Sequence, residues 1–139
     1  MKVILASHGS LADEMLKVLH MILGDEDDVE SFCLDKYENP LALSQEVKKK
    51  IDEAKDEPVT LVCDIKGGSV FNQLLPLCTY QRVTLYSGMN LDLVLSLVNI
   101  QPETEEDFEE VTGEAKSGIV RFNREVLEKA AGGNDADGF

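Results

Sequence analysis

The chain holds two histidines, His8 and His20, and their surroundings set them apart. His8 stands in Ser7-His8-Gly9-Ser10, directly after an apolar run. A nucleophilic imidazole must present one neutral ring nitrogen and keep the N–H of the other in a fixed tautomer. A carboxylate that accepts that N–H fixes the tautomer, and it stabilises the cation formed when the free nitrogen is substituted. Asp64 is the candidate, because it follows another apolar run, Val59 to Cys63. Lys66, Gly67, Gly68 and Ser69 come just behind it. Paired glycines let backbone approach an anion closely, and a hydroxyl and an ammonium are donors suited to phosphoryl oxygens. The helices expected after Ser10 and from Ser69 add free N–H groups and positive dipole ends. The candidate site is therefore His8 as nucleophile and Asp64 as its orienting acid. Gly9, Ser10, Gly67, Gly68 and Ser69 are candidate phosphate ligands, with Lys66 as a further one. Singly, each has a plainer role as loop histidine, turn glycine, helix cap or solvated lysine. Their weight lies in converging on one edge of one sheet. His20, between Leu19 and Met21 with no acid or cysteine nearby in sequence, reads as structural.

That convergence depends on the elements between them. Apolar runs alternate with helical patterns, which predicts βαβ units and an α/β fold. Strands are expected at about Lys2 to Ser7, Val29 to Leu34, Val59 to Cys63 and Arg82 to Tyr86. A first helix spans Leu11 to Leu23, with Ser10 and Asp13 as an N-cap pair and Gly24 as its stop. Asp25 to Glu30 reads as a solvated acidic turn. Pro40 opens a second helix that runs to about Lys55. A third begins at Ser69, with Phe71, Leu74, Leu75 and Cys78 as its apolar face, and Pro76 should kink it or end it early. Asn90 caps a fourth over Leu91 to Asn99. Glu103 to Glu110 reads as helical and exposed. Gly118 to Phe122 reads as a short last strand, and residues 129–139 as a disordered tail after a single domain over 1–128. The expected architecture is a doubly wound, mostly parallel sheet of order 2-1-3-4 with helices on both faces. The last strand would lie antiparallel at one edge. Ligands of such sheets bind beyond the carboxyl ends of the strands, where Ser7 to Ser10, Asp64 to Ser69, and Ser87 to Asn90 all fall.

Composition narrows the function. The formal net charge is -14, which repels phosphate backbones and anionic lipid surfaces, so nucleic acid is not an expected partner. No apolar run approaches the roughly 18 residues of a membrane span. The short apolar stretch at the start reads as a first strand, since a signal peptide would need a longer apolar region and a small-residue cleavage site. The three cysteines, Cys33, Cys63 and Cys78, have no metal or disulfide spacing and lie in apolar segments, which predicts core thiols in a reducing cytoplasm. No metal cluster or nucleotide loop is visible, so no cofactor is expected.

The segment MKVILASHGSLADEMLKVLHMILG resembles the start of the IIA domains of the mannose family of the bacterial sugar phosphotransferase system. Those domains open with a strand, then His-Gly-x-Leu-Ala and a helix ending near Ile-Leu-Gly. VCDIKGGSVFN is similar to the family's Asp-x-x-Gly-Gly-Ser-Pro-Phe-Asn, SGMNLDLVLSL to its Gly-x-Asn-Leu-Pro-Met-Leu, and Ala115-Lys116-Ser117-Gly118-Ile119 to a late motif. The matches keep the family's order and cover most of the chain. There are departures. The family usually has Trp or another large residue near Lys66, Pro near Val70, and often Pro where Ser10 stands.

The resemblance implies a phosphocarrier, a phosphotransferase working through phosphohistidine. His8 would take a phosphoryl group from phosphorylated HPr. It would pass it to a histidine of a IIB subunit on a separate chain, which phosphorylates sugar entering through membrane IIC and IID subunits. It also implies a homodimer that exchanges a C-terminal strand, for which GIVRF is the candidate. Three alternatives stay open: the phosphotransfer subunit of a dihydroxyacetone kinase system, a regulatory module that senses phosphorylation, and a small hydrolase with a His–Asp pair.

Overall fold

The computed structural model describes residues 1–25 and 28–132. In chain order the elements are β1 (Lys2–Ser7), α1 (Leu11–Leu23), β2 (Val29–Cys33), α2 (Pro40–Glu53), β3 (Val59–Cys63), α3 (Ser69–Leu74), β4 (Val83–Tyr86), α4 (Leu91–Ile100), α5 (Glu105–Ser117) and α6 (Arg124–Gly132). Short 3-10 turns follow β2 and α3. The strands pair in the order β2-β1-β3-β4, all parallel. A parallel neighbour can be reached only by a crossover, which is why strands and helices alternate.

Central β1 and β3 are apolar on both faces because helices cover both. Ile4, Ala6, Leu61 and Cys63 pack toward α2 and α3, while Leu5 and Val62 pack toward α1, α4 and α5. The β1–β3 register pairs Ala6 with Cys63. His8 and Asp64 therefore leave the sheet side by side.

Local chemistry starts and stops the helices. Asn39 Oδ1 accepts the Ala42 N–H at 2.8 Å, and Asn90 Oδ1 accepts the Leu93 N–H at 2.9 Å. Gly24, at φ +83°, ends α1 in the left-handed region. Thr104 and Asp107 form a reciprocal capping box that starts α5.

The structure departs from the sequence reading in several places. Ser10 makes no capping bond to α1. The buried Ser7 Oγ accepts the Ala12 N–H instead, at 2.8 Å, and Asp13 turns to Ser31 and Lys36. The expected face of the third helix is shifted. Pro76 confines α3 to Ser69–Leu74, and the turn beyond it has three residues per turn. Val70, Leu74 and Leu77 are buried as a result, while Leu75 and Cys78 are exposed. Cys78 is thus no core thiol. The acidic segment after Pro102 is a longer helix than expected and buries Val111 and Ala115.

Residues 118–123 form no strand. A strand needs a hydrogen-bonding partner, and within this chain the segment leads from α5 straight into α6. Residues 129–132, assigned to the tail, belong to α6, where the pairs Arg124–Glu128 and Glu125–Lys129 support helix at i,i+4 spacing. The rest of that tail, 133–139, and residues 26–27 of the acidic turn lie outside the described residues.

Two side chains tie the helical layers to the sheet. Arg82, just before β4, donates Nη2 to the Ile51 carbonyl at 2.6 Å and Nη1 to the Glu57 carbonyl at 2.8 Å. It stacks 5.7 Å from the Tyr80 ring centre. Arg82→Ala strips charged donors from partly buried carbonyls. It should lower unfolding free energy by about 1.5–3 kcal/mol, read as a lower urea midpoint at unchanged slope. Asp13 ties α1 to β2 by accepting from the Ser31 hydroxyl at 2.6 Å and the Lys36 ammonium at 2.7 Å. Lys36 first, then Ser31, holds its carboxyl below the ordinary value. A depressed folded-state pKa stabilises above the unfolded value, about 3.9, and that stabilisation is lost as pH falls through the lower folded value. Asp13→Asn should therefore lower the melting temperature at pH 7, with the gap to the wild type closing as pH drops below about 4.

Candidate functional site at the carboxyl edge of the sheet

Two parallel neighbours deliver the central pair. His8 is two residues past Ala6, and Asp64 one residue past its partner Cys63. Asp64 Oδ2 accepts the His8 backbone N–H at 2.9 Å and lies 2.8 Å from Nδ1 of the ring. Its Oδ1 accepts the Ile65 N–H at 3.0 Å. An ionised carboxylate only accepts, so Nδ1 carries the proton and Nε2 keeps its lone pair. Ser69 Oγ, 2.9 Å from Nε2, then donates to it.

Burial alone would raise the Asp64 carboxyl. Hydrogen bonds from the His8 backbone and ring, and from the Ile65 amide, outweigh burial and leave it below its ordinary value. Exposure separates the two partners. The Asp64 side chain is 14% exposed and that of His8 44%. The acid is shielded while the ring remains accessible. The ring can thus receive an electrophile at Nε2 while Nδ1–H stays on the carboxylate.

The loop from Asp64 to Ser69 shapes the wall opposite the ring. The Gly68 N–H closes a tight turn on the Ile65 carbonyl at 3.2 Å. Gly67 sits at φ +78°, as the third residue of a type II turn requires. A Cβ on Gly68 would meet the Ile65 Cγ2 methyl at 2.8 Å and the His8 Cε1 at 3.5 Å. A side chain at this position would have to displace Ile65, while toward the imidazole it would make ordinary van der Waals contact.

His8, Asp64, Gly68 and Ser69 thus come together. Lys66 is exposed at the corner of the turn. Gly9 bends the chain at φ +54°, and Ser10 is exposed and makes no side-chain cap bond. One α1 amide expected for phosphate, that of Ala12, is already taken by Ser7. His20 is remote in role; its buried Nε2 has no hydrogen-bond partner among the described residues. Cys63 is buried, and burial together with the adjacent Asp64 pushes its thiol up to about 11. It stays protonated and does not compete as a nucleophile. Among the described residues no group of three or more His, Cys, Asp or Glu side chains converges in a way that could hold a metal.

Sequence reasoning missed two supporting residues. Ser7 reads as part of the strand, yet its hydroxyl starts α1. Asn72 donates Nδ2 to the Gly67 carbonyl at 3.2 Å and braces the glycine turn from α3. The signal for Asn72 was its place three residues after Ser69 in the Gly-Gly-Ser motif.

The chain is similar to several proteins of known structure. A solved structure from Klebsiella pneumoniae subsp. pneumoniae, assigned to the phosphoenolpyruvate-dependent sugar phosphotransferase system, shares 30% identity with a TM-score of 0.76, over 90% of this chain and 93% of its own. The mannose/sorbose-specific IIA subunit from Enterococcus faecalis shares 26% identity with a TM-score of 0.69, over 88% and 94%. A IIA protein associated with a fucose utilization operon of Streptococcus pneumoniae shares 25% identity with a TM-score of 0.75, over 86% and 91%. No curated protein matches the chain. The family model described as the fructose IIA component of the phosphotransferase system, EIIA-man, matches residues 2–116. Over residues 2–116, from the start of β1 through nearly all of α5, this chain belongs to the mannose-type IIA family of the sugar phosphotransferase system.

Proposed function

We propose that this protein is a phosphocarrier whose His8 takes a phosphoryl group from phosphorylated HPr and hands it to a histidine of a separate IIB chain. Sugar uptake and phosphorylation through membrane IIC and IID subunits lie downstream. The observation that carries the reading is the His8 ring, held at Nδ1 by a shielded carboxylate and met at Nε2 by the Ser69 hydroxyl on an exposed face. In the step itself, the bond between phosphorus and the donor's ring nitrogen breaks as a bond to Nε2 forms. Nδ1 keeps its proton throughout. The product is a dianionic phosphoryl group on a cationic ring, and Asp64 balances that ring charge. Ser69 loses its acceptor when Nε2 is substituted, and its hydroxyl is then free to donate to a phosphoryl oxygen. Gly9, Ser10, Gly67 and Gly68 line the same edge as further ligands. The acceptor reverses these steps in the same frame, so catalysis is positioning and charge stabilisation.

No described helix is long and apolar enough to cross a membrane, which accords with a cytoplasmic carrier between HPr and the membrane subunits. The homodimer belongs to the same reading. Ile119 is 77% exposed and Val120 64%, beside a sheet that ends at β4. A second copy's segment added to β4 would cover such side chains.

The phosphocarrier reading is tested with phosphoenolpyruvate, enzyme I and HPr. The wild type should gain acid-labile phosphate and lose it to IIB, while His8→Ala stays unlabelled. Label on His8→Ala equal to that on the wild type would overturn the assignment. Asp64→Asn should slow labelling about 10- to 100-fold, the worth of a charge-assisted hydrogen bond. For the dimer, analytical ultracentrifugation should give twice the chain mass for the wild type, and Val120→Asp should shift it toward the monomer. A monomeric wild type at tens of micromolar would remove the dimer from the reading.

A further inference from the structure

Lys66 occupies the exposed corner of the Ile65–Gly68 turn. The loop around it is fixed at both ends on the His8 ring. Asp64 holds Nδ1 and Ser69 meets Nε2. The Gly68 backbone passes close enough that a Cβ there would lie 3.5 Å from His8 Cε1. Lys66 is therefore carried by the wall of the site, two residues from the orienting acid.

Its charge is also unspent. In a chain of net charge -14, most lysines sit against carboxylates. Lys2 and Lys50 share Glu30, Lys17 meets Glu14, Lys36 meets Asp13, and Lys48 meets Asp52. No such pair forms for Lys66 among the described residues. A phosphoryl dianion on His8 would face an acidic molecule, and an unneutralised cation on the facing loop offsets that repulsion.

We infer that Lys66 binds the phosphoryl group on His8 and so sets the transfer equilibrium, favouring the phosphorylated form of this protein over its donor. The inference rests on the phosphocarrier reading and adds a thermodynamic role to it. Free His8 carries no phosphoryl charge, so the ammonium stabilises one side of the reaction only. A group that interacts with only one side changes the equilibrium constant as well as the rates.

The test is the equilibrium between phosphorylated HPr and this protein, followed by acid-labile radiolabel on each. Lys66→Ala should lower the equilibrium constant about 2- to 5-fold at low salt, the upper part of the range for one exposed charge pair. The deficit should shrink at 1 M salt, where screening is strong. Lys66→Arg should restore most of the constant. Because Lys66 is exposed and unpaired, both variants should keep the wild-type urea midpoint. An equilibrium constant for Lys66→Ala equal to the wild type at low salt overturns this inference while leaving the phosphocarrier intact. Absence of label on the wild type overturns the phosphocarrier reading itself.

Discussion

One carboxylate oxygen organises this site. Asp64 Oδ2 receives the backbone N–H and lies within hydrogen-bond distance of the ring nitrogen of the same residue, His8, 56 positions away in sequence. The double contact fixes both where the chain leaves β1 and how the imidazole is turned. It exists only because β1 and β3 are parallel neighbours in a register that pairs Ala6 with Cys63. A one-residue slip would turn the side chains beyond the strands to opposite faces and part the pair. The helices on both faces serve that register by burying the apolar runs that set it.

The same contact explains why the acid is not a liability. A carboxylate that is 14% exposed is costly unless its oxygens are satisfied. Here each oxygen accepts, Oδ2 from His8 and Oδ1 from the Ile65 N–H. Desolvation is outweighed, and the acid stays charged beside a ring that, on the phosphocarrier proposal, becomes cationic. Cys63 shows the contrast: burial, together with the charge of Asp64 beside it, outweighs a backbone hydrogen bond and keeps it neutral.

Much of this was legible from residue types. Continuous apolar runs marked the central strands, Pro40 and Asn90 marked helix starts, and His8 and Asp64 followed strands that pairing then joined. What failed did so for physical reasons. Ser10 looked like the N-cap, but Gly9 bends the chain so that Ser7, one turn earlier, supplies the oxygen. The third helix was read with a period of 3.6, whereas Pro76 forces a 3-10 turn and moves the buried side chains to Leu74 and Leu77. Gly118 to Phe122 has strand-like composition, but composition does not provide the neighbouring strand that pairing needs. Asn72 was quoted within a motif, yet its bond to the Gly67 carbonyl depends on a turn whose geometry sequence does not spell out.

The one-sided exposure of the imidazole also bears on traffic. Nδ1 is closed off by Asp64, and the Gly67–Gly68 turn stands close on one flank. On the phosphocarrier proposal, donor and acceptor would both reach Nε2 from its exposed side, one after the other. That arrangement would disfavour a ternary complex and give ping-pong kinetics, with each partner competing for the same surface. Throughput would then depend on how quickly one partner leaves. Tight binding to either would slow the relay, so such a surface is better served by weak, fast-exchanging contacts than by strong ones.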